Sequence, residues 1–116
     1  MKTTKRNQNI FKELKIEGNY KEFNDFYDVN KELIYKSIID LFHEFKKTRK
    51  KTLTLYVSAK IKGLEWDTEF KFNRTDTIVL TRDVLPYFES IEDYEKCSEI
   101  KNLYEVLTNK KELSII

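Results

Sequence analysis

A single cysteine, Cys97, is all the thiol chemistry in this 116-residue chain, so no disulfide can close within it. Its one histidine, His43, has neither a second imidazole nor a pair of thiols to complete a tetrahedral zinc set. Two glycines, Gly18 and Gly63, and one proline, Pro86, leave little material for long ordered loops or a glycine-rich phosphate cradle. Function is therefore expected on helices and strands. No apolar run approaches the roughly 18 to 20 residues needed to span a bilayer. Nor does an apolar stretch of about 7 to 15 residues follow the basic opening of residues 1–7, as a secretory leader would require. A cytoplasmic protein without a membrane segment is the expectation. The GxGxxG, Walker, HExxH and GxSxG signatures are all missing. His43 and Cys97 have no third residue to orient them as base and nucleophile, and the carboxylates fall on polar faces by pattern. The residues predict no enzyme, no metal and no cofactor.

What the chain does have is charge and aromatic surface, at 36% charged and 14% aromatic residues, with 40% hydrophobic residues to fill one core. Residues 1–9 read as a flexible basic arm and residues 10–116 as a single α+β domain. Net charge of +2 conceals an asymmetry: residues 1–62 carry +7 and residues 63–116 carry −5. Such polarity marks surfaces that meet charged partners, and it equally lets the two halves attract each other on folding.

The clearest pattern is a hairpin over residues 52–73. Leu53, Leu55, Val57, Ala59 and Ile61 alternate with polar residues on one arm, and Leu64, Trp66, Thr68, Phe70 and Phe72 do so on the other. A two-residue turn at Lys62-Gly63 sets Ile61 opposite Leu64 and Leu53 opposite Phe72, so all ten fall on one face. The opposite face then pairs Lys60 with Glu65, Ser58 with Asp67, Tyr56 with Glu69 and Thr54 with Lys71.

Around the hairpin, Asn30 reads as an N-cap with Val29 stapled to Ile34, and Leu33, Ile34, Ile38, Leu41, Phe42 and Phe45 trace a helical stripe over about residues 31–47. Residues 10–29 give a mixed signal. A short helix to about Ile16 capped by Gly18, then a second from Tyr20 to Tyr27, is one reading, and a hairpin about Gly18-Asn19 is the other. Residues 77–81 read as a third strand. Ser90 followed by Asp93 approximates a capping box for a helix over about 91–108, with Ile91, Tyr94, Cys97, Ile100, Leu103, Val106 and Leu107 on one face. The expected architecture is α+β, an antiparallel three-stranded sheet packed on helices 31–47 and 91–108.

Two charged regions offer sites. Lys46, Lys47, Arg49, Lys50, Lys51, Lys60 and Lys62 form a basic run without an intervening acid, with Tyr56 among them to stack on a base. They are the candidate nucleic-acid contacts. The cations at residues 46–51 also complement the negative end of the preceding helix. The candidate partner-binding residues are Tyr56, Lys60, Glu65 and Glu69 on the hairpin with Glu92, Asp93, Glu95 and Glu99 on the last helix, acids able to occupy a basic groove.

The order helix, three strands, helix over residues 31–108 resembles the double-stranded-RNA-binding domain. That family places a lysine-rich motif at the start of its last helix, where this chain reads Ser90-Ile91-Glu92-Asp93-Tyr94-Glu95-Lys96. The resemblance therefore implies topology without the phosphate-binding activity. In size, Lys/Asn/Ile-rich composition and bipolar charge the whole chain is similar to small phage proteins that inhibit host defence, including anti-CRISPR proteins. That likeness rests on general character and on no motif. It implies a non-catalytic inhibitor docking on a host nucleoprotein such as a CRISPR-Cas complex. The alternative is an RNA-binding accessory protein using residues 46–62. Pairing of the hairpin edge with another copy of itself stays open.

Overall fold

The computed structural model describes residues 8–109. The order is β1 (Asn9–Tyr20), α1 (Phe23–Lys47), β2 (Thr52–Ile61), β3 (Leu64–Asn73), a π-helical turn Leu80–Val84 running into α2 (Leu85–Ser90), and α3 (Tyr94–Thr108). This is an α+β fold with a mixed sheet in the order β1-β2-β3, where β1 runs parallel to β2 and β2 antiparallel to β3. The purely antiparallel sheet expected from the sequence is thereby corrected, as is the helix-first element order. Most of the expected basic arm lies outside the described residues, and Asn9 opens β1.

The hairpin has the register its alternation predicts, from Ile61 opposite Leu64 to Thr52 opposite Asn73 without a break. Lys62 and Gly63 close it at φ 56° and 77°, the left-handed pair that matches the twist of the flanking strands. Leu53, Leu55, Val57 and Ala59 are buried, whereas Trp66, Phe70 and Phe72 are half-buried and Leu64 is exposed. The difference follows from α1, which lies over β1 and β2.

Residues 10–20 form a strand in place of the expected short helix or hairpin. Ile10, Leu14 and Ile16 point to the helix side and Phe11, Glu13 and Lys15 away from it. The alternation is interrupted by Lys12, a cation on the apolar side whose ammonium reaches Asp40 of α1 at 3.5 Å. A parallel neighbour needs a long crossover, and the 25-residue α1 supplies it.

That helix starts seven residues before the expected cap. Phe26, Asn30 and Ile34 continue the buried stripe at four-residue spacing, and the polar Asn30 is accommodated there because its amide donates to the Phe26 carbonyl at 2.9 Å and the Tyr20 hydroxyl at 3.2 Å. Val29, expected as a staple, is exposed. At the far end the Arg74 guanidinium closes the helix, donating to the Phe45 carbonyl at 2.8 Å and the Thr48 carbonyl at 2.6 Å and lying 4.9 Å from the Phe45 ring centroid. These are carbonyls a helix C-terminus leaves without intrahelical partners.

The third strand expected at residues 77–81 is helical instead. Val79 N–H bonds Asp76 and Leu80 N–H bonds Thr77, while Leu80, Val84 and Phe88 are buried at four-residue spacing. Leu85 donates to Leu80 five residues back, and this widened turn admits Pro86, which has no N–H to give. In α3, Asp93 is the N-cap, accepting from Lys96 N–H at 3.1 Å, so the helix starts at Tyr94. Ser90 is at the end of α2 and donates to Tyr87. Cys97, Ile100 and Leu103 are buried, but Ile91, Tyr94 and Val106 of the expected stripe are exposed. The α3 helix packs on α1 and α2, making the helices a layer on one side of the sheet.

Candidate functional site

With the helices on one side, the polar residues of three strands share an open face. The paired registers arrange them in rows across the sheet: Phe11, Thr54 and Lys71, then Glu13, Tyr56 and Glu69, then Lys15, Ser58 and Asp67. Strand spacing places neighbours in a row about 4.8 Å apart across the sheet. Tyr56 is thus flanked by an acid on each side. Its hydroxyl donates to Asp67 Oδ2, diagonal to it, at 2.7 Å. That hydrogen bond is the main cause pushing the Tyr56 pKa up, with small contributions from desolvation and the charges of Asp67, Glu13 and Glu69. Lys71 lies 3.4 Å from Glu69 on the same strand, and the Phe11 ring is 57% exposed at the β1 side.

At the upper end the sheet is notched. The pairing of β1 with β2 passes from Lys15 opposite Ser58 directly to Asn19 opposite Lys60, leaving Ile16, Glu17 and Gly18 facing Ala59 alone. Gly18 takes φ 118° there, and the bulge opens a shallow cavity of about 360 Å³ lined by Lys15, Glu17, Ser58, Lys60 and Glu65.

Tyr56, Lys60, Glu65 and Glu69, four of the expected partner-binding residues, therefore lie together on this face. The other four lie on the helix layer, near the start of α3. Asp93 is occupied as the cap, and Glu99 binds His43 at 2.7 Å and Lys96 at 2.8 Å. Burial tends to raise the Glu99 pKa, but its two donors outweigh it and hold the carboxyl below its ordinary value. Glu92 and Glu95 are exposed.

The basic run is divided. Lys46 and Lys47 end α1, and Arg49, Lys50 and Lys51 lead into β2, whereas Lys60 and Lys62 sit at its other end. Eight strand residues, 52–59, separate Lys51 from Lys60 by about 30 Å. Lys47 lies 3.7 Å from Glu44 and Lys62 lies 3.8 Å from Glu22. Tyr56, between the two groups, is bordered by acids. Sequence reasoning missed Phe11, Glu13 and Lys15 as members of the face. The signal that could have found them is the period-two recurrence of Ile10, Leu14 and Ile16, once Lys12 is allowed to point inward with a partner.

Among the described residues no group of three or more His, Cys, Asp or Glu could hold a metal ion, and no helix is long and apolar enough to cross a membrane. Cys97 is buried, and His43 faces Glu99. Comparisons with protein-family models, with curated proteins and with solved structures return no match for this chain.

Proposed function

We propose that this chain is a non-catalytic binding protein whose open sheet face docks on another protein. The observation that carries the reading is the row Glu13, Tyr56, Glu69, a tyrosine between two acids on a sheet face that no helix among the described residues covers. Tyrosine offers large, rigid, amphipathic contact area at small entropic cost, and the charges around it give orientation and encounter rate more than raw affinity. Phe11 adds exposed aromatic area on the same face. The engagement of His43 with Glu99 and the burial of Cys97 support a role without catalysis. Size, composition and bipolar charge point to a phage-type inhibitor, and the partner class they suggest is a host nucleoprotein defence effector.

Paired charge-reversal variants test where the site lies. Glu65→Lys with Glu69→Lys should abolish capture of a partner while leaving the circular dichroism unchanged. Glu92→Lys with Glu95→Lys should leave capture intact. The reverse outcome would move the site to α3.

A second reading, RNA contact through Lys46, Lys47, Arg49, Lys50 and Lys51, is favoured by one observation: among the described residues only Lys47 of these five has an acidic partner. Such a site would give a salt-sensitive mobility shift with single- or double-stranded RNA. No shift at micromolar protein would remove it.

A further inference from the structure

The hairpin register decides which backbone groups of β3 meet solvent. Ile61 and Leu64 close a two-residue turn, so Leu64, Trp66, Thr68, Phe70 and Phe72 direct their N–H and C=O groups to β2. Glu65, Asp67, Glu69 and Lys71 direct theirs outward. The pattern is continued by Asn73, which uses its outward N–H and C=O on Asp76, and by Arg74, which donates inward to Lys51.

The two edges of the sheet differ. On β1 the bulge at Ile16–Gly18 breaks the line and Lys12 points inward with its charge, both devices that discourage further pairing. On β3 ten residues run in unbroken register without proline or glycine. The side chains on its two faces also differ. Glu65, Asp67, Glu69 and Lys71 lie on the open face, and Trp66, Thr68, Phe70 and Phe72 on the helix side. Beneath that helix side a groove of about 330 Å³ runs between β3 and α1, lined by the apolar Ile34, Ile38, Phe70, Phe72 and Val79 together with two tyrosines and the Arg82–Asp83 ion pair.

We propose that β3 is a strand-addition site, and that its occupant is an extended segment of the partner protein in which basic and apolar residues alternate. The inference rests on the protein-binding reading and gives it a mode. Residues opposite one another in a sheet share a face, so basic side chains of the added strand meet Glu65, Asp67 and Glu69 while its apolar side chains extend the aromatic surface over the groove. A second copy of this chain is the poorer occupant. Each copy brings one cation, Lys71, to the open face of β3, so antiparallel self-pairing matches at most one of the three acids per strand: Glu65 when centred on Thr68, where Asp67 meets Glu69, or Asp67 when centred on Glu69, where that acid meets itself.

The test uses the ¹⁵N-labelled full chain and a synthetic peptide of alternating lysine and valine. Binding should slow exchange of the Glu65, Asp67, Glu69 and Lys71 amides at least about tenfold, leaving the amides already bonded to β2 unchanged. N-methylation of alternate peptide nitrogens should abolish it. So should Glu69→Pro, which removes an outward N–H that β2 does not use. Binding that survives both changes yet is lost in Glu65→Lys with Glu69→Lys would overturn strand addition and leave the open face as the site. Absence of binding at a peptide concentration of about 1 mM would overturn it as well. Concentration-dependent dimers that protect the same four amides without peptide would assign the edge to a second copy instead.

Discussion

Nε2 of His43 in α1 lies 2.7 Å from Oε2 of Glu99 in α3, and Oε1 of the same carboxylate accepts from Nζ of Lys96 at 2.8 Å. This pair is the polar tie between the two long helices, set beside the apolar contact made by Cys97, Ile100 and Leu103. Glu99→Gln keeps the shape and removes the charge, and should destabilise the fold by about 1 kcal/mol at neutral pH. The folded pKa of Glu99 lies below its ordinary 4.5. Its contribution is therefore complete above roughly pH 5.5 and is lost as pH falls through 4.5 toward the folded value. Urea midpoints of the unmodified chain and the variant should converge on acidification over that range. A gap that stays constant would mean that Glu99 acts through packing and not through charge.

Arg74 is predicted to matter more than its place in a turn suggests. Its guanidinium gathers carbonyls at Phe45 and Thr48 that α1 cannot satisfy itself, and burial lowers its pKa without removing its charge. Arg74→Ala should cost about 2 kcal/mol in chemical denaturation. Arg74→Lys should recover little of it, because an ammonium lacks the planar fork that reaches two carbonyls.

Capping distinguishes Asp93 from Ser90. Asp93→Ala should destabilise by about 1 kcal/mol through loss of the bond to Lys96 N–H, whereas Ser90→Ala should fall within about 0.5 kcal/mol. A larger effect of Ser90→Ala than of Asp93→Ala in thermal unfolding would return the cap to Ser90.

The hairpin turn carries a stabilising substitution. Lys62 adopts φ 56°, a conformation that asparagine tolerates better than lysine. Lys62→Asn should raise stability by about 0.5 kcal/mol. Gly63→Ala should lower it by about 1 kcal/mol for backbone reasons alone, since an added Cβ at that position would meet nothing within 4 Å.

The hairpin could be read to the residue, because period-two alternation on two arms and a Lys-Gly turn over-determine its register. The core of α1 was legible from its stripe, but its start was not. Asn30 is an ordinary cap residue by type, and only its bonds to Phe26 and Tyr20 make it an interior one. Residues 10–20 were misread because Lys12 breaks the alternation in sequence while Asp40 satisfies it in space. Residues 77–81 carry β-branched side chains, yet Leu80, Val84 and Phe88 recur every fourth residue, and burial overrode local propensity. Of the candidate site, the β2 and β3 residues followed from the hairpin. The β1 residues and the separation of the basic run into two groups needed the parallel pairing and the strand length.

Capture from a cell extract by three immobilised forms of the full chain tests the central claim most directly, with nuclease-treated and untreated extract side by side. One form is unmodified. A second carries Tyr56→Ala, Glu65→Lys and Glu69→Lys, and a third carries Lys46→Gln, Lys47→Gln, Arg49→Gln, Lys50→Gln and Lys51→Gln. A protein retained by the first and third forms, lost from the second and indifferent to nuclease is the result expected of a partner docked on the open sheet face. A protein retained by the second form, lost from the third and released by nuclease would contradict it and assign the function to RNA.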